Sequence, residues 1–358
     1  MHALVIGGGI AGSATAVALR SIGADVTVCE ARSAADLDAG LWLGVASNGL
    51  SALDVLGLRA TTLAASLVDP RTGTAGRSGF APVRRADLYR ILRRAAQERG
   101  AVLRYDKKLV EADDTGTATF ADGSTVTADV IIGCDGVHSR TRSVIDPGAP
   151  SPRYIPLLNI GGFAESARAP GEPARLQFVR GGGGFFGYTT AAGRDEVWWF
   201  ANLPWPTEPT RSELAAMTRD DLTKLLLDAL NDTPPFVRDV IERTGPGLYA
   251  VPTHDLPAVP VWRRGRTILL GDAAHATTPT SGQGASMALE DAVVLAKCLR
   301  DRPSWHDAAA RYEELRRGRV QDIVALGARA SAAKLTDASI EDSLEWIHSY
   351  RVDWAAPA

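Results

Sequence analysis

Gly7-Gly8-Gly9-Ile10-Ala11-Gly12 stands between the apolar run Ala3-Leu4-Val5-Ile6 and an alanine-rich stretch that ends near Ser21 and Gly23. The order is strand, tight turn, helix, and a second strand from Asp25 to Cys29 follows, so residues 1 to 32 read as one β-α-β unit. The glycines divide the mechanical work among them. Gly7 permits the turn, Gly9 lets backbone N–H groups approach a pyrophosphate closely, and Gly12 lets the helix pack tightly on the strand. The helix N-terminus adds positive potential. Glu30 lies eighteen residues beyond Gly12, where a carboxylate can take the hydroxyls of a ribose, with Ala31 and Arg32 beside it. A dinucleotide is the expected ligand, but this motif alone does not separate FAD from NAD.

Outward from this unit, Arg85 to Arg99 places Leu88, Ile91, Leu92 and Ala95 on one face, as an amphipathic helix closed by Gly100. Alternation between Val102 and Ile132 reads as short strands with a turn at Ala121-Asp122-Gly123. From about Pro150 to Tyr249 the texture becomes strand-like, with Arg175 to Val179 and Glu196 to Leu203 separated by Gly181 to Gly184 and interrupted by one helical stretch, Ser212 to Leu230. After Thr267 the strand-turn-helix grammar returns, so the first domain is expected to be discontinuous. Tyr312 to Ala330 and Ile340 to Tyr350 read as helices.

Two further strings carry chemistry. The strand from Asp129 to Ile132 runs into Gly133-Cys134-Asp135-Gly136-Val137-His138-Ser139-Arg140-Thr141-Arg142. Thr267 to Leu270 runs into Gly271-Asp272-Ala273-Ala274-His275, Pro279, and Gly282-Gln283-Gly284-Ala285-Ser286-Met287-Ala288-Leu289-Glu290-Asp291. Asp272, after a strand, can accept hydroxyl hydrogen bonds, and Gly282 to Ala285 open a helix whose N–H groups suit an electron-rich ring edge. Pro279 would hold the intervening loop against that ring.

Together these strings resemble the FAD-dependent aromatic hydroxylases, the single-component flavoprotein monooxygenases that include p-hydroxybenzoate hydroxylase, urate hydroxylase and tetracycline-inactivating enzymes. The resemblance covers most of the chain and is loose over 151 to 250. It implies an α/β fold: a Rossmann-like FAD domain from 1–68, 80–150 and 250–330, a mixed-sheet substrate domain from 69–79 and 151–249, and a C-terminal helix over 331–358. It implies that Arg85 meets the FAD phosphates, Asp272 the ribityl chain, and Asp135 and Gly136 both FAD and a transient NADH or NADPH. The reaction implied is hydroxylation of an aromatic or polycyclic molecule by dioxygen through a flavin hydroperoxide, in a pocket that excludes water. Trp42, Tyr188, Trp199 and Pro279 are the expected lining. Tyr188 and His254 are candidate proton relays, and His275 is expected to support the FAD loop.

Two departures stand out: Leu41-Trp42-Leu43 puts an indole where the family carries small residues, and Gly181 to Gly184 is expected to be flexible. Epoxidation of an alkene uses the same chemistry and is the main alternative, followed by a flavoprotein that does not oxygenate its ligand. The Trp-x-Trp-x-Ile-Pro string of flavin halogenases and the Gly-x-Ser-x-Gly of hydrolases do not occur. A net charge of −3 with 23% charged residues makes no case for nucleic acid or membrane as partner. Three scattered cysteines read as buried thiols, and no spacing suggests a metal site. With no leader-like start and no long apolar run, a cytoplasmic protein is expected.

Overall fold

The computed structural model describes residues 1–34, 40–68, 80–336 and 345–358, with side chains omitted for 334–336. The strand His2–Ile6 lies at the middle of a six-stranded sheet, paired in parallel with Asp25–Cys29 on one side and Val130–Gly133 on the other. Val102–Arg104 and Thr267–Leu269 extend it in parallel, and Arg263–Arg264 adds an antiparallel edge. Ala3, Leu4 and Val5 are fully buried because both faces of the sheet are covered. One face packs the helices Ile10–Ser21, Arg85–Glu98 and Gly284–Asp301. The other carries a small sheet, Leu109–Ala112, Thr117–Phe120 and Thr125–Thr127, whose Leu109 and Phe120 meet Leu4, Ile6 and Ile131.

A second sheet has the strand order Gln177–Gly181, Gly184–Thr190, Glu196–Pro204, Arg153–Glu165, Tyr249–Asp255. Its pairings are antiparallel throughout, not mixed; short reversing connections join Gln177–Gly181 to Gly184–Thr190 and Gly184–Thr190 to Glu196–Pro204. Leu158, Ile160, Val197, Trp199 and Ala201 face the helices Arg219–Ala229 and Pro235–Glu242, whose Leu222, Leu226, Val237 and Val240 complete a separate core. The alternate residues face the first domain. There the hairpin Trp42–Ala46 and Phe80–Arg84 forms the contact, with Trp42 5.8 Å from Phe200 and 6.4 Å from Trp198 between ring centres.

Several local expectations need correction. The stretch 212–230 is two helices, Arg211–Ala216 and Arg219–Ala229, because Thr210 with Glu213 and Thr218 with Asp221 each form a capping box. Gly181 to Gly184 is a hairpin turn held by Gly182 N–H on Asp232 (2.9 Å) and Gly183 N–H on the Ala229 carbonyl (3.1 Å). A side chain at Gly183 would fall 2.5 Å from that carbonyl oxygen, so these glycines serve close approach and not flexibility. The C-terminal helix is long, Trp305–Thr336, and a short one spans Glu345–His348. Residues 69–79, expected in the second domain, and 340–344, expected to be helical, lie outside the described residues.

Candidate active site

The three glycine-rich strings meet at the carboxyl ends of the parallel strands. Gly7 has φ +98°, and a Cβ there would lie 2.5 Å from the Cys134 carbonyl oxygen. A Cβ on Gly12 would lie 1.8 Å from the Gly7 carbonyl oxygen, so the helix seats against the turn only with glycine at both positions. A Cβ on Gly271 would stand 3.0 Å from that of Ala11, which brings the third string onto the first. The helix that starts at Ile10 and Ala11 has Gly9 as its N-cap and no side-chain cap, leaving its first N–H groups for an anion.

Glu30 is buried; one oxygen accepts from Gly8 N–H (2.7 Å) and the other from Arg32 N–H (3.0 Å) and Arg32 Nε (3.3 Å). The carboxylate after Cys29 thus pins the glycine turn, with Ala31 exposed beside it. Arg85 opens its helix, donates its N–H to the Leu41 carbonyl (3.0 Å), and carries its guanidinium 5.9 Å from the Tyr89 ring.

Asp272 begins a short helix after Gly271 and is solvent-accessible, yet it sits so deep among protein atoms that its carboxyl is pushed up by burial, against the opposing pull of His275 and Arg85. An accessible carboxylate beside Gly284 is a hydroxyl acceptor in waiting. Pro279 is exposed at the head of a short turn, Pro279–Ser281, and Gly282 follows with φ +62° and no atom within 4 Å of its missing Cβ. The helix Gly284–Asp301 again starts without a side-chain cap, with Ala285 in its first turn.

Asp135, expected beside FAD and the nicotinamide, is engaged within its own string. Both of its oxygens are used locally, accepting from Ser139 Oγ (2.5 Å), Thr141 N–H (2.9 Å) and Thr141 Oγ1 (3.0 Å), so it braces the helix Arg140–Ile145. Gly136 next to it, with φ +81° and open space before it, presents backbone alone.

Tyr188 and Trp199, expected in the pocket, are on the far face of the second sheet. Trp199 is fully buried, stacks on Phe186 at 5.3 Å and donates to Thr244 (2.8 Å); Tyr188 donates to the Pro170 carbonyl (2.9 Å). The physical reason is register: Trp199 shares its face with Val197 and Ala201, and Tyr188 with Phe186. Trp42 does stand on the facing side, against Trp198 and Phe200. His254 is held by Glu208 (2.7 Å) and lies edge-on to His138 and Tyr154, none of them in the Trp42 cluster.

A buried network stands behind the third string. Asp291 accepts from Gly271 N–H (3.1 Å), pairs with His275 Nε2 (2.6 Å) and accepts from Arg316 Nε (2.7 Å), while Arg316 also pairs with Glu290 (2.7 Å). Burial pushes the Asp291 carboxyl up, but His275 and Arg316 outweigh it and hold it well below the usual range. Glu290 further joins Arg319 (2.9 Å) and Asn48 (2.6 Å), and Asn48 donates to Gln283 (3.0 Å), so the Gln283 side chain points into the protein, while its N–H donates to Ser281 Oγ (3.2 Å). Glu290 and Asp291 closed the third string, but their arginine partners lie a helix away in sequence.

Two uncapped helix N-termini, three glycine turns and an accessible acid converging on one cleft define a flavin-dinucleotide protein. The family model described as FAD binding domain matches residues 1–326. The chain is 32% identical over 349 residues to FAD-dependent urate hydroxylase of Mycolicibacterium vanbaalenii, covering 90% of this chain and 86% of that protein. It is 31% identical to 3-amino-4-hydroxybenzoate 2-monooxygenase of Streptomyces cremeus, covering 89% and 84%. The crystal structure of Klebsiella pneumoniae HpxO complexed with FAD and uric acid superposes with a TM-score of 0.81 at 29% identity, covering 98% of this chain and 95% of that one. The chain belongs to this FAD-binding family, the FAD-dependent aromatic monooxygenases, and FAD is its cofactor.

Among the described residues no helix is long and apolar enough to cross a membrane, and no group of three or more His, Cys, Asp or Glu is placed to hold a metal ion. All three cysteines are free and buried.

Proposed function

We propose that this enzyme hydroxylates an aromatic or polycyclic small molecule, drawing electrons from NADH or NADPH and one oxygen atom from dioxygen. The observation that carries the proposal is the aromatic wall of Trp42, Trp198 and Phe200 on the sheet face turned to the FAD domain. Bound FAD supplies the redox chemistry, taking hydride and activating oxygen. The chain's own residues bind and shield. The backbone N–H groups after Gly9 take the pyrophosphate, Glu30 and Arg32 the adenosine ribose region, Asp272 the ribityl hydroxyls, and the N-terminus at Gly284 and Ala285 the flavin's pyrimidine edge. Gly136 offers backbone where a nicotinamide would pass.

The second sheet, with residues 151–249 as its core, serves as the substrate domain and closes the cleft with apolar rings that keep water from the reacting atoms. The end of its strand Tyr249–Asp255 is tied to the flavin loop, since Leu256 N–H donates to the Ala276 carbonyl (2.8 Å), three residues before Pro279. A small organic molecule in place there lies between sheet and flavin. The test is NADH and NADPH oxidation by the purified yellow protein across phenols, indoles and polycyclic aromatics. Ligand-stimulated oxidation supports the proposal; an unchanged rate with every ligand would count against it.

A further inference from the structure

The turn Pro279–Ser281 rests on the long helix Trp305–Thr336 through hydroxyl groups and a single glycine. Thr278 Oγ1 donates to the Gly327 carbonyl (2.9 Å), and Ser331 Oγ lies 2.9 Å from Thr278 Oγ1 and 3.1 Å from Thr280 Oγ1. Each hydroxyl carries one proton, so with Thr278 donating to the helix, Ser331 donates to Thr278 and Thr280 to Ser331. Thr278 and Ser331 are fully buried, and such a chain holds its members at fixed separations. The turn is also closed on itself: Thr277 Oγ1 donates to Ser281 Oγ (3.2 Å), Ser281 Oγ to the Thr278 carbonyl (3.0 Å), and Gly282 N–H to the Pro279 carbonyl (3.0 Å). A push on Thr277 or Ser281 therefore carries Pro279 with it.

Gly327 sets how close that turn comes to the helix. A Cβ there would lie 2.6 Å from Thr277 Oγ1, 3.1 Å from Thr278 Oγ1 and 3.2 Å from Ser281 Cβ. Rotating the Thr277 side chain relieves the first contact and leaves the other two, so a methyl group displaces the turn away from the helix by a few tenths of an ångström. Glycine inside a helix is otherwise unfavourable relative to alanine. Gly318 in the same helix shows the contrast, with no atom within 4 Å of its missing Cβ. Arg316, Val320, Ile323, Gly327 and Ser331 recur at spacings of three and four residues, which puts them on one face. Near one end of that face Arg316 and Arg319 hold Asp291 and Glu290, and about 22 Å further along Ser331 holds the turn.

We infer that Gly327, Thr278 and Ser331 are positioning residues of this monooxygenase, which together set how far the Pro279 turn reaches toward the flavin ring. They act through the turn and not by touching the cofactor. The inference rests on the reading that lays the flavin ring beside Pro279, and it adds the face of a helix remote in sequence to the parts that hold the surroundings of that ring in place.

The experiment compares Gly327→Ala, Gly318→Ala, Thr278→Val and Thr278→Ser as purified FAD-loaded enzymes. On each, flavin content and the visible circular dichroism of the bound flavin are read, then kcat, KM and peroxide yield with a ligand that stimulates NAD(P)H oxidation. Gly327→Ala and Thr278→Val are expected to keep their flavin, change its dichroism, raise the peroxide yield and lower kcat about tenfold with KM moved less than about twofold, because a misplaced ring slows the reaction more than it weakens binding. Gly318→Ala and Thr278→Ser keep the dichroism and rates of the parent. Thr278→Val removes only the hydroxyl at nearly constant volume, so it decides the matter alone if Gly327→Ala does not fold. Parent-like dichroism in Gly327→Ala or Thr278→Val, loss of the flavin from both, or an equal change in Gly318→Ala or Thr278→Ser would overturn the inference. Altered dichroism in Gly327→Ala and Thr278→Val, with no ligand stimulating NAD(P)H oxidation by any of the enzymes, would support the inference and strike at the proposed reaction alone.

Discussion

Replacing Asp291 with alanine should cost far more stability than replacing the nearby Asp272, although both carboxylates belong to the same string. Asp291 is fully buried and its two oxygens hold three partners, Gly271 N–H, His275 and Arg316, with Arg316 itself fully buried. Alanine leaves the Gly271 N–H without its acceptor and the guanidinium with Glu290 alone. Breaking one side of a buried ion pair costs about 3–5 kcal/mol. At roughly 2 °C per kcal/mol for a chain of this size, the melting temperature falls by about 6–10 °C. The assay is thermal unfolding followed by circular dichroism, with FAD removed from every sample so that ligand linkage does not enter the comparison. Asp272→Ala removes an exposed side chain, so in the absence of FAD its melting temperature stays within about 2 °C of the parent. A drop below about 2 °C for Asp291→Ala would refute the reasoning, because the network would then contribute nothing net.

Asp272→Ala is expected to lower flavin occupancy sharply, measured as the ratio of flavin to protein absorbance after purification; full occupancy would remove Asp272 from the cofactor site. Tyr188→Phe loses one hydrogen bond to Pro170 on the far face of the sheet, so it should cost about 1 kcal/mol of stability and change turnover less than about twofold; a large loss of turnover at unchanged stability would return Tyr188 to the mechanism. Trp42→Ala opens the wall and should divert reducing equivalents to hydrogen peroxide at unchanged flavin content, with peroxide yield as the readout. The folded-state pKa of Asp291 is depressed, so its contribution to stability is present above the unfolded value near 3.8 and is lost as pH falls through the folded value of about 2. The melting-temperature gap between the parent and Asp291→Asn should therefore narrow from pH 5 to pH 2, and a gap that widens on acidification would contradict that sign.

What the sequence disclosed was local. The turn after Ile6, the helix after Gly9 and the acid at Glu30 lie within one β-α-β unit, so spacing alone conveys their arrangement. Which face of Glu196–Pro204 meets the first domain was hidden, because indoles occupy both faces: Trp198 packs into the first domain's core and Trp199 into the second's, and alternation without a polarity contrast gives no direction. Tyr188 was misplaced for the same reason. Asp135 also accepts from Ser139 and Thr141, contacts that only coordinates reveal. The network that sets Gln283 joins Asn48 to Glu290 across 242 residues, and no spacing rule reaches that far. The break between Ala216 and Arg219 was readable, since Thr210-x-x-Glu213 and Thr218-x-x-Asp221 each announce a helix start.

The most direct test of the central claim is the mass of the product formed under isotopically heavy dioxygen, with NAD(P)H and a ligand that stimulates its oxidation. The account predicts a product heavier than substrate by one oxygen atom, that atom taken from dioxygen and not from water, with little hydrogen peroxide. A product without heavy oxygen, or reducing equivalents recovered wholly as peroxide with every stimulating ligand, would contradict it.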